Sequence, residues 1–129
     1  MLYKREALQV HNSIKMAGGS SQVEVIIPSD VDKMTGLPKG DSQSITLFFV
    51  QANYSNEDLS DSSIASGLTK ILVSSLDATG QPVANFSKFL KNKKAMVKYA
   101  SGSKLSIKNV KLTTPDGKTP IAARVFLGG

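Results

Sequence analysis

The chain of 129 residues has no cysteine and no tryptophan, and its one histidine is His11. Without cysteine there is no disulfide framework and no thiolate to hold a metal or attack a substrate. A catalytic triad or a zinc site is not expected from so small a set of ligands and bases. The phosphate-cradling patterns GxxxxGK[ST] and GxGxxG are also missing. The carboxylates Glu24, Asp30, Asp32, Asp41, Glu57, Asp58 and Asp61 fall on expected strand faces, loops or caps, without the paired spacing of an acid/base dyad. No apolar run approaches the roughly 20 residues that span a bilayer. The opening Met1-Leu-Tyr-Lys-Arg-Glu6 is mixed and polar, unlike a signal peptide. These absences lead us to expect no enzyme, no cofactor, no metal, no small-molecule substrate and no membrane partner, in a protein made in the cytoplasm.

Acidic residues are missing from one long stretch. None occurs between Asp77 and Asp116. Lys88, Lys91, Lys93, Lys94, Lys98, Lys104, Lys108 and Lys111 all lie in that gap, half of the 16 basic residues in a chain of net charge +6. A local field of that sign favours a polyanion such as nucleic acid; the plainer reading is a solvated basic face kept for solubility.

What is present reads as one α+β domain over residues 1–129, with strands in 1–54, two helices in 55–92 and C-terminal strands in 95–129. Leu8 and Val10 alternate with Ala7, Gln9 and His11 as in a strand, although Lys4-Arg-Glu-Ala-Leu-Gln9 is also good helix material. Ala17-Gly-Gly-Ser20 reads as a turn into a strand over 20–28, where Val23, Val25 and Ile27 share a face and Pro28 ends the run. A long loop covers 29–41. Residues 42–52 form the next strand, with Ile45, Leu47 and Phe49 on one face and Ser42, Ser44 and Thr46 on the other. The period then changes to 3.6. Ile64, Leu68, Ile71, Leu72 and Ser75 form a helical stripe from a start at Ser55 to about Asp77, and Val83, Phe86, Phe89 and Leu90 form a shorter one after Pro82. Residues 95–100 and 104–112 read as strands, the second with a slip near Asn109. Thr113-Thr-Pro-Asp-Gly-Lys118 turns it into a last strand over 121–127. The expected architecture is an antiparallel sheet with two helices packed on one face and a hairpin. Its other face is polar and must meet something.

Three stretches carry a resemblance. Tyr3-Lys-Arg-Glu-Ala-Leu-Gln-Val-His-Asn-Ser13, Gln22-Val-Glu-Val-Ile-Ile-Pro28 and Ser44-Ile-Thr-Leu-Phe-Phe-Val-Gln-Ala-Asn-Tyr-Ser-Asn-Glu-Asp58 resemble, in order and facing, the strands and first helix of the coat proteins of single-stranded RNA bacteriophages, the levivirus family. Lys104-Leu-Ser-Ile-Lys-Asn-Val-Lys-Leu-Thr-Thr-Pro-Asp-Gly-Lys-Thr-Pro120 is similar to that family's N-terminal hairpin, so the chain looks circularly permuted. The resemblance implies a capsid protein found in the virion and assembled in the host bacterial cytoplasm. It implies an interlocked homodimer, dimers closing into an icosahedral shell, and an inward sheet face that packages single-stranded RNA and represses translation through an RNA hairpin. The residues set on that inward face are Arg5, Gln9, His11, Ser13, Ser20, Gln22, Glu24, Ser42, Ser44 and Thr46. Arg5 suits phosphate, and the Gln, Ser and Thr side chains suit sugar and base edges. Leu47, Phe49, Ile64, Leu68, Ile71, Leu72, Phe86 and Phe89 are expected in the core and dimer interface, with Leu8, Val10, Val23, Val25, Ile27, Ile45 and Leu90.

Two other readings stay open. A stand-alone single-strand-binding module, such as an OB-like barrel, would explain the lysines. A structural or decoration protein built as a sandwich would explain the small Ser/Thr/Gly-rich strands equally well.

Overall fold

The computed structural model describes residues 4–28, 30–31, 34–39, 43–54, 56–61, 64, 67–114, 117 and 119–128. Helix α1 spans Lys4–Ala17, where the strand alternation was expected. Ala7, His11 and Ile14 are buried along one stripe, with Val10 half-buried beside them. That spacing satisfies a 3.6 period better than a 2 period, and Leu8, inward in the strand reading, is exposed. The helix ends in a Schellman pattern: Ser20 N–H bonds Lys15 O at 2.8 Å and Gly19 N–H bonds Met16 O at 3.2 Å, with Gly19 at φ 62°.

Strands β1 (Gln22–Ile27), β2 (Asp30–Val31), β3 (Pro38–Lys39) and β4 (Gln43–Ala52) follow. β1 and β4 pair antiparallel with Val23 opposite Leu47 and Val25 opposite Ile45. The short β2 and β3 pair with each other inside the long loop.

The helix expected up to Asp77 is replaced. Among the described residues of that stretch only α2, Asn56–Ser60, is helical, and β5 runs Thr69–Ser74. Gly67, at φ 85°, and the surrounding serines are poor helix formers, and Thr69-Lys-Ile-Leu-Val73 is rich in β-branched residues. Ile71 and Val73 then share one face at a strand period, both buried. The helical stripe through Ile64, Leu68, Ile71 and Leu72 was a coincidence of two overlapping periods. Helix α3 (Phe86–Leu90), β6 (Met96–Tyr99), β7 (Lys104–Thr113) and β8 (Ala122–Gly128) complete the chain. The slip near Asn109 is a β-bulge, with the register shifting between Ile107 and Asn109.

β1, β4, β5, β8, β7 and β6 form a closed antiparallel barrel in that order, β6 returning to pair with β1. The chain is therefore antiparallel β with helices, as expected, but the sheet closes on itself where an open sheet with one bare face was expected. The closing piece is β5, which bridges β4 and β8 and leaves no barrel edge free. Val23, Val25, Leu47, Ile71, Val73, Val97, Ala123, Val125 and Leu127 fill the interior. Phe86, Leu90 and Ala95 join the same cluster, so α3 plugs the mouth at which β5 ends and β6 begins. α1 lies outside, across β4, β5 and β8.

Candidate nucleic-acid interface

The residues set on an inward RNA face are split by the barrel. Gln22, Glu24, Ser44 and Thr46 do stay together, on the outer wall. Glu24 faces Thr46 across one strand pair and Lys98 across the other, and Lys98 in turn faces Lys104. The outward row Thr46–Glu24–Lys98–Lys104 thus crosses four strands. Arg5, Gln9 and Ser13 lie on the exposed side of α1, and Ser20 is in the turn that ends it. Ser42 lies outside the described residues.

His11 departs most from its expected role. Its ring is buried under α1, with Nδ1 at 2.8 Å from Ser74 Oγ and its plane edge-on to Phe48 at 5.5 Å between centroids. Ser74 Oγ also donates to Leu76 O at 3.1 Å. Burial, aided by the charge of Lys15, lowers the imidazole pKa, and the opposing charge of Asp77 does not restore it. A buried neutral histidine on a buried serine clamps α1 to the barrel and offers nothing to RNA. Burial works against ionisation of Asp77 too. Hydrogen bonds from Thr79 Oγ1 and from the backbone N–H groups of Thr79 and Gln81 outweigh it and hold the carboxyl below its usual range.

The residues assigned to core and dimer interface are buried or half-buried within one chain. Leu47, Phe49, Ile71, Phe86 and Phe89 belong to the barrel cluster. Ile64 is buried outside it, and Leu68 and Leu72 are half-buried. Their burial requires no second subunit.

The lysines of the acid-free stretch, by contrast, are gathered by the fold. Leu90, Lys91, Asn92 and Lys93, where α3 ends, face Ile107, Lys108, Asn109 and Val110 of β7 across a groove of about 430 Å³. Leu90, Ile107 and Val110 are the apolar part of a lining that is otherwise lysine and asparagine. Lys91, Lys93 and Lys108 are exposed along it and make no ion pair with any described carboxylate. The β7 bulge is what puts Lys108 there, because the extra residue breaks the alternation. The turn carrying Lys93 and Lys94 is held by Asn92, whose Oδ1 accepts the Lys94 N–H at 2.9 Å. Lys111, one strand position further, is instead paired with Asp61 at 2.5 Å. Lys88, on the preceding turn of α3, lines two cavities on either side of the plug.

Three exposed cations along one groove, with amide groups between them, can meet successive phosphates and a sugar or base edge. The only ring in the acid-free stretch besides Phe86 and Phe89 is Tyr99, which is packed edge-on to Phe49 inside the barrel, where burial raises its pKa. Base stacking is therefore not a feature of the groove. Among the described residues no group of three or more His, Asp or Glu side chains could hold a metal. Among the described residues no helix is long and apolar enough to cross a membrane.

No protein family, no curated protein and no solved structure matches the chain.

Proposed function

We propose that this protein binds single-stranded nucleic acid along the groove between α3 and β7. The observation that carries the reading is the convergence of Lys91, Lys93 and Lys108 on one groove without a partner among the described carboxylates. Lys88 on one side and the Lys98–Lys104 row on the barrel wall extend the positive field beyond the groove. Binding is dominated by phosphate contacts and is strongly salt-dependent, with weak sequence preference along the groove itself. Fluorescence anisotropy with a labelled single strand of about 12 nucleotides tests this at several salt concentrations. Binding that tightens steeply as salt falls is expected. No binding at low salt would overturn the reading.

A second reading, an RNA-packaging coat subunit that dimerises and closes into an icosahedral shell, uses the same basic surface. It is favoured by Met34 and Leu37, which are 95% and 64% exposed in the segment that joins β2 to β3. Large apolar side chains held out on a loop suit contact between copies. Negative-stain electron microscopy with absorbance at 260 and 280 nm on the same fraction separates the two. Uniform nucleic-acid-filled shells would establish the coat; small species carrying nucleic acid would leave the binding module alone.

A further inference from the structure

Along β7 the groove runs directly into a lysine of a different kind. Asn109, which lines the groove, is opposite Phe126 of β8, and Lys111 is opposite Arg124. Val110 between them is opposite Val125 and packs into the barrel, so Asn109 and Lys111 share the outer face. Lys111 is thus the next outward position, about 7 Å beyond Asn109 at the usual strand rise. The stem of Lys108 reaches the same wall: a Cβ at Gly128 of β8 would meet its Cγ and Cε at 3.2 Å. A strand leaving the groove along β7 therefore meets Lys111 next.

The charge of that lysine is already engaged. Asp61, the residue after α2, holds its ammonium at 2.5 Å, and the two side chains are 35% and 27% exposed. Arg124 beside it faces Asp58 Oδ1 at 3.9 Å. The two carboxylates stand three residues apart and do different things. Asp58 is 2% exposed and bound to the buried Lys70, so it belongs to the packing. Asp61 lies at the surface, where an ion pair adds little to stability. Its part in the local turn is played by the backbone: its N–H bonds Asp58 O at 3.3 Å, and its carbonyl accepts the Ile64 N–H at 3.1 Å. Both bonds are independent of the side chain. What the carboxylate does change is the field, because it sits on Lys111 where a phosphate would sit and repels the next phosphate of an incoming strand.

We propose that Asp61 ends the phosphate track: by keeping Lys111 neutralised, it sets how far along β7 a bound strand reaches. The inference rests on the strand-binding reading above and names the residue that limits that site. Lys108 and Lys111 stand on one strand and one wall, three residues apart. The first has no partner among the described carboxylates and the second has Asp61. The boundary between an open and a closed cation thus falls within a single turn of the groove's end, and one acidic side chain draws it.

The test measures the salt dependence of binding to a labelled single strand of about 16 nucleotides for wild type, Asp61→Asn, Asp61→Asn combined with Lys111→Gln, and Glu6→Gln. Asp61→Asn is expected to steepen the slope of log affinity against log salt by about 0.7, one phosphate contact, and to tighten binding about fivefold at roughly 50 mM salt. Adding Lys111→Gln should return both to the wild-type values. Glu6→Gln removes the same charge from the exposed side of α1 and should leave the slope unchanged. Circular dichroism verifies the fold of each. A wild-type slope in Asp61→Asn would overturn the boundary and leave the phosphate groove standing. A gain that survives Lys111→Gln, or that Glu6→Gln reproduces, would also overturn it, since the carboxylate would then act only through the overall charge. Absence of binding by wild type and every variant would overturn this proposal together with the strand-binding reading.

Discussion

Asp58 Oδ2 and Lys70 Nζ meet at 2.5 Å on the outside of the barrel, and the two side chains are 2% and 6% exposed. The ammonium also donates to Asn53 O at 3.3 Å and lies 5.9 Å from the centre of the Phe126 ring. Arg124 Nη1 approaches the other carboxylate oxygen at 3.9 Å. The pair ties α2 to β5, so α2 is strapped over the barrel wall. Tyr54 supports the strap twice, edge-on to Phe126 and accepting the Leu68 N–H through its Oη at 3.0 Å.

Breaking that pair from one side should cost more than replacing both partners. Asp58→Asn leaves a buried ammonium without its counter-charge, and about 3–5 kcal/mol of stability is expected to go. Asp58→Leu combined with Lys70→Met removes both charges and should lose much less. Urea denaturation of the three proteins measures it. A single variant as stable as wild type would mean that the carboxylate is not the main partner of Lys70.

The close approach of α1 to β4 gives a second expectation. A Cβ at Gly18 would stand 2.1 Å from Phe49 O, a backbone atom that cannot swing away. Gly18→Ala is therefore expected to push the helix end off the barrel and lose about 1–3 kcal/mol. Gly19→Ala meets no atom within 4 Å but must hold φ at +62°, which costs about 1 kcal/mol. Thermal unfolding should rank Gly18→Ala below Gly19→Ala. The reverse order would place the strain in the turn and not in the packing.

Acid should loosen the same helix through His11. Its pKa is lowered on folding, so the unfolded chain binds the proton more readily than the folded one. Stability is then fully present above the unfolded value of 6.5 and is lost as pH falls from there through the folded pKa. The groups that set the shift are the burial itself, Lys15 on the same helix and Asp77 beyond β5. Denaturant midpoints between roughly pH 5 and 8 should decline towards acid. In His11→Gln that part of the decline should vanish, and a slope unchanged in the variant would assign it to other groups.

The parts of the fold legible in the sequence were those with one dominant period. β1 and β4 came through because Val23, Val25, Ile45 and Leu47 alternate cleanly, and the β7 slip was visible where the alternation around Asn109 failed. α1 and β5 were exchanged because both stretches satisfy two periods at once. In 4–17 the strand pattern needed Leu8 and Val10, whereas the helix stripe needed Ala7, His11 and Ile14, and packing against β4 and β5 chose the stripe. In 69–74 the choice was made by partners far away in sequence, β4 and β8, which no local pattern contains. Closure of the sheet follows from β5, so misreading one strand also changed the sheet from closed to open. The basic stretch was legible as charge. That Lys91, Lys93 and Lys108 share one groove was not, because it depends on the plug position of α3 and on a bulge.

The lysines of that groove should differ in their weight on nucleic-acid binding according to whether they are already neutralised. Each single-strand phosphate contact contributes about 0.7 to the slope of log affinity against log salt. Replacing Lys91, Lys93 and Lys108 together by Gln should therefore lower the slope by about 2 and weaken all sequences alike. Lys111→Gln is the control from the same strand. Its ammonium is engaged by Asp61 at 2.5 Å and the two side chains are about equally exposed. A surface pair of that kind is worth little to stability but cancels most of the field that a phosphate would feel. Lys111→Gln should then change the slope far less than one-third of the triple variant does. Anisotropy titrations across a range of salt concentrations give the slopes directly. A Lys111 variant that loses as much slope as each groove lysine would move the contact surface off the groove and onto the open wall of β7.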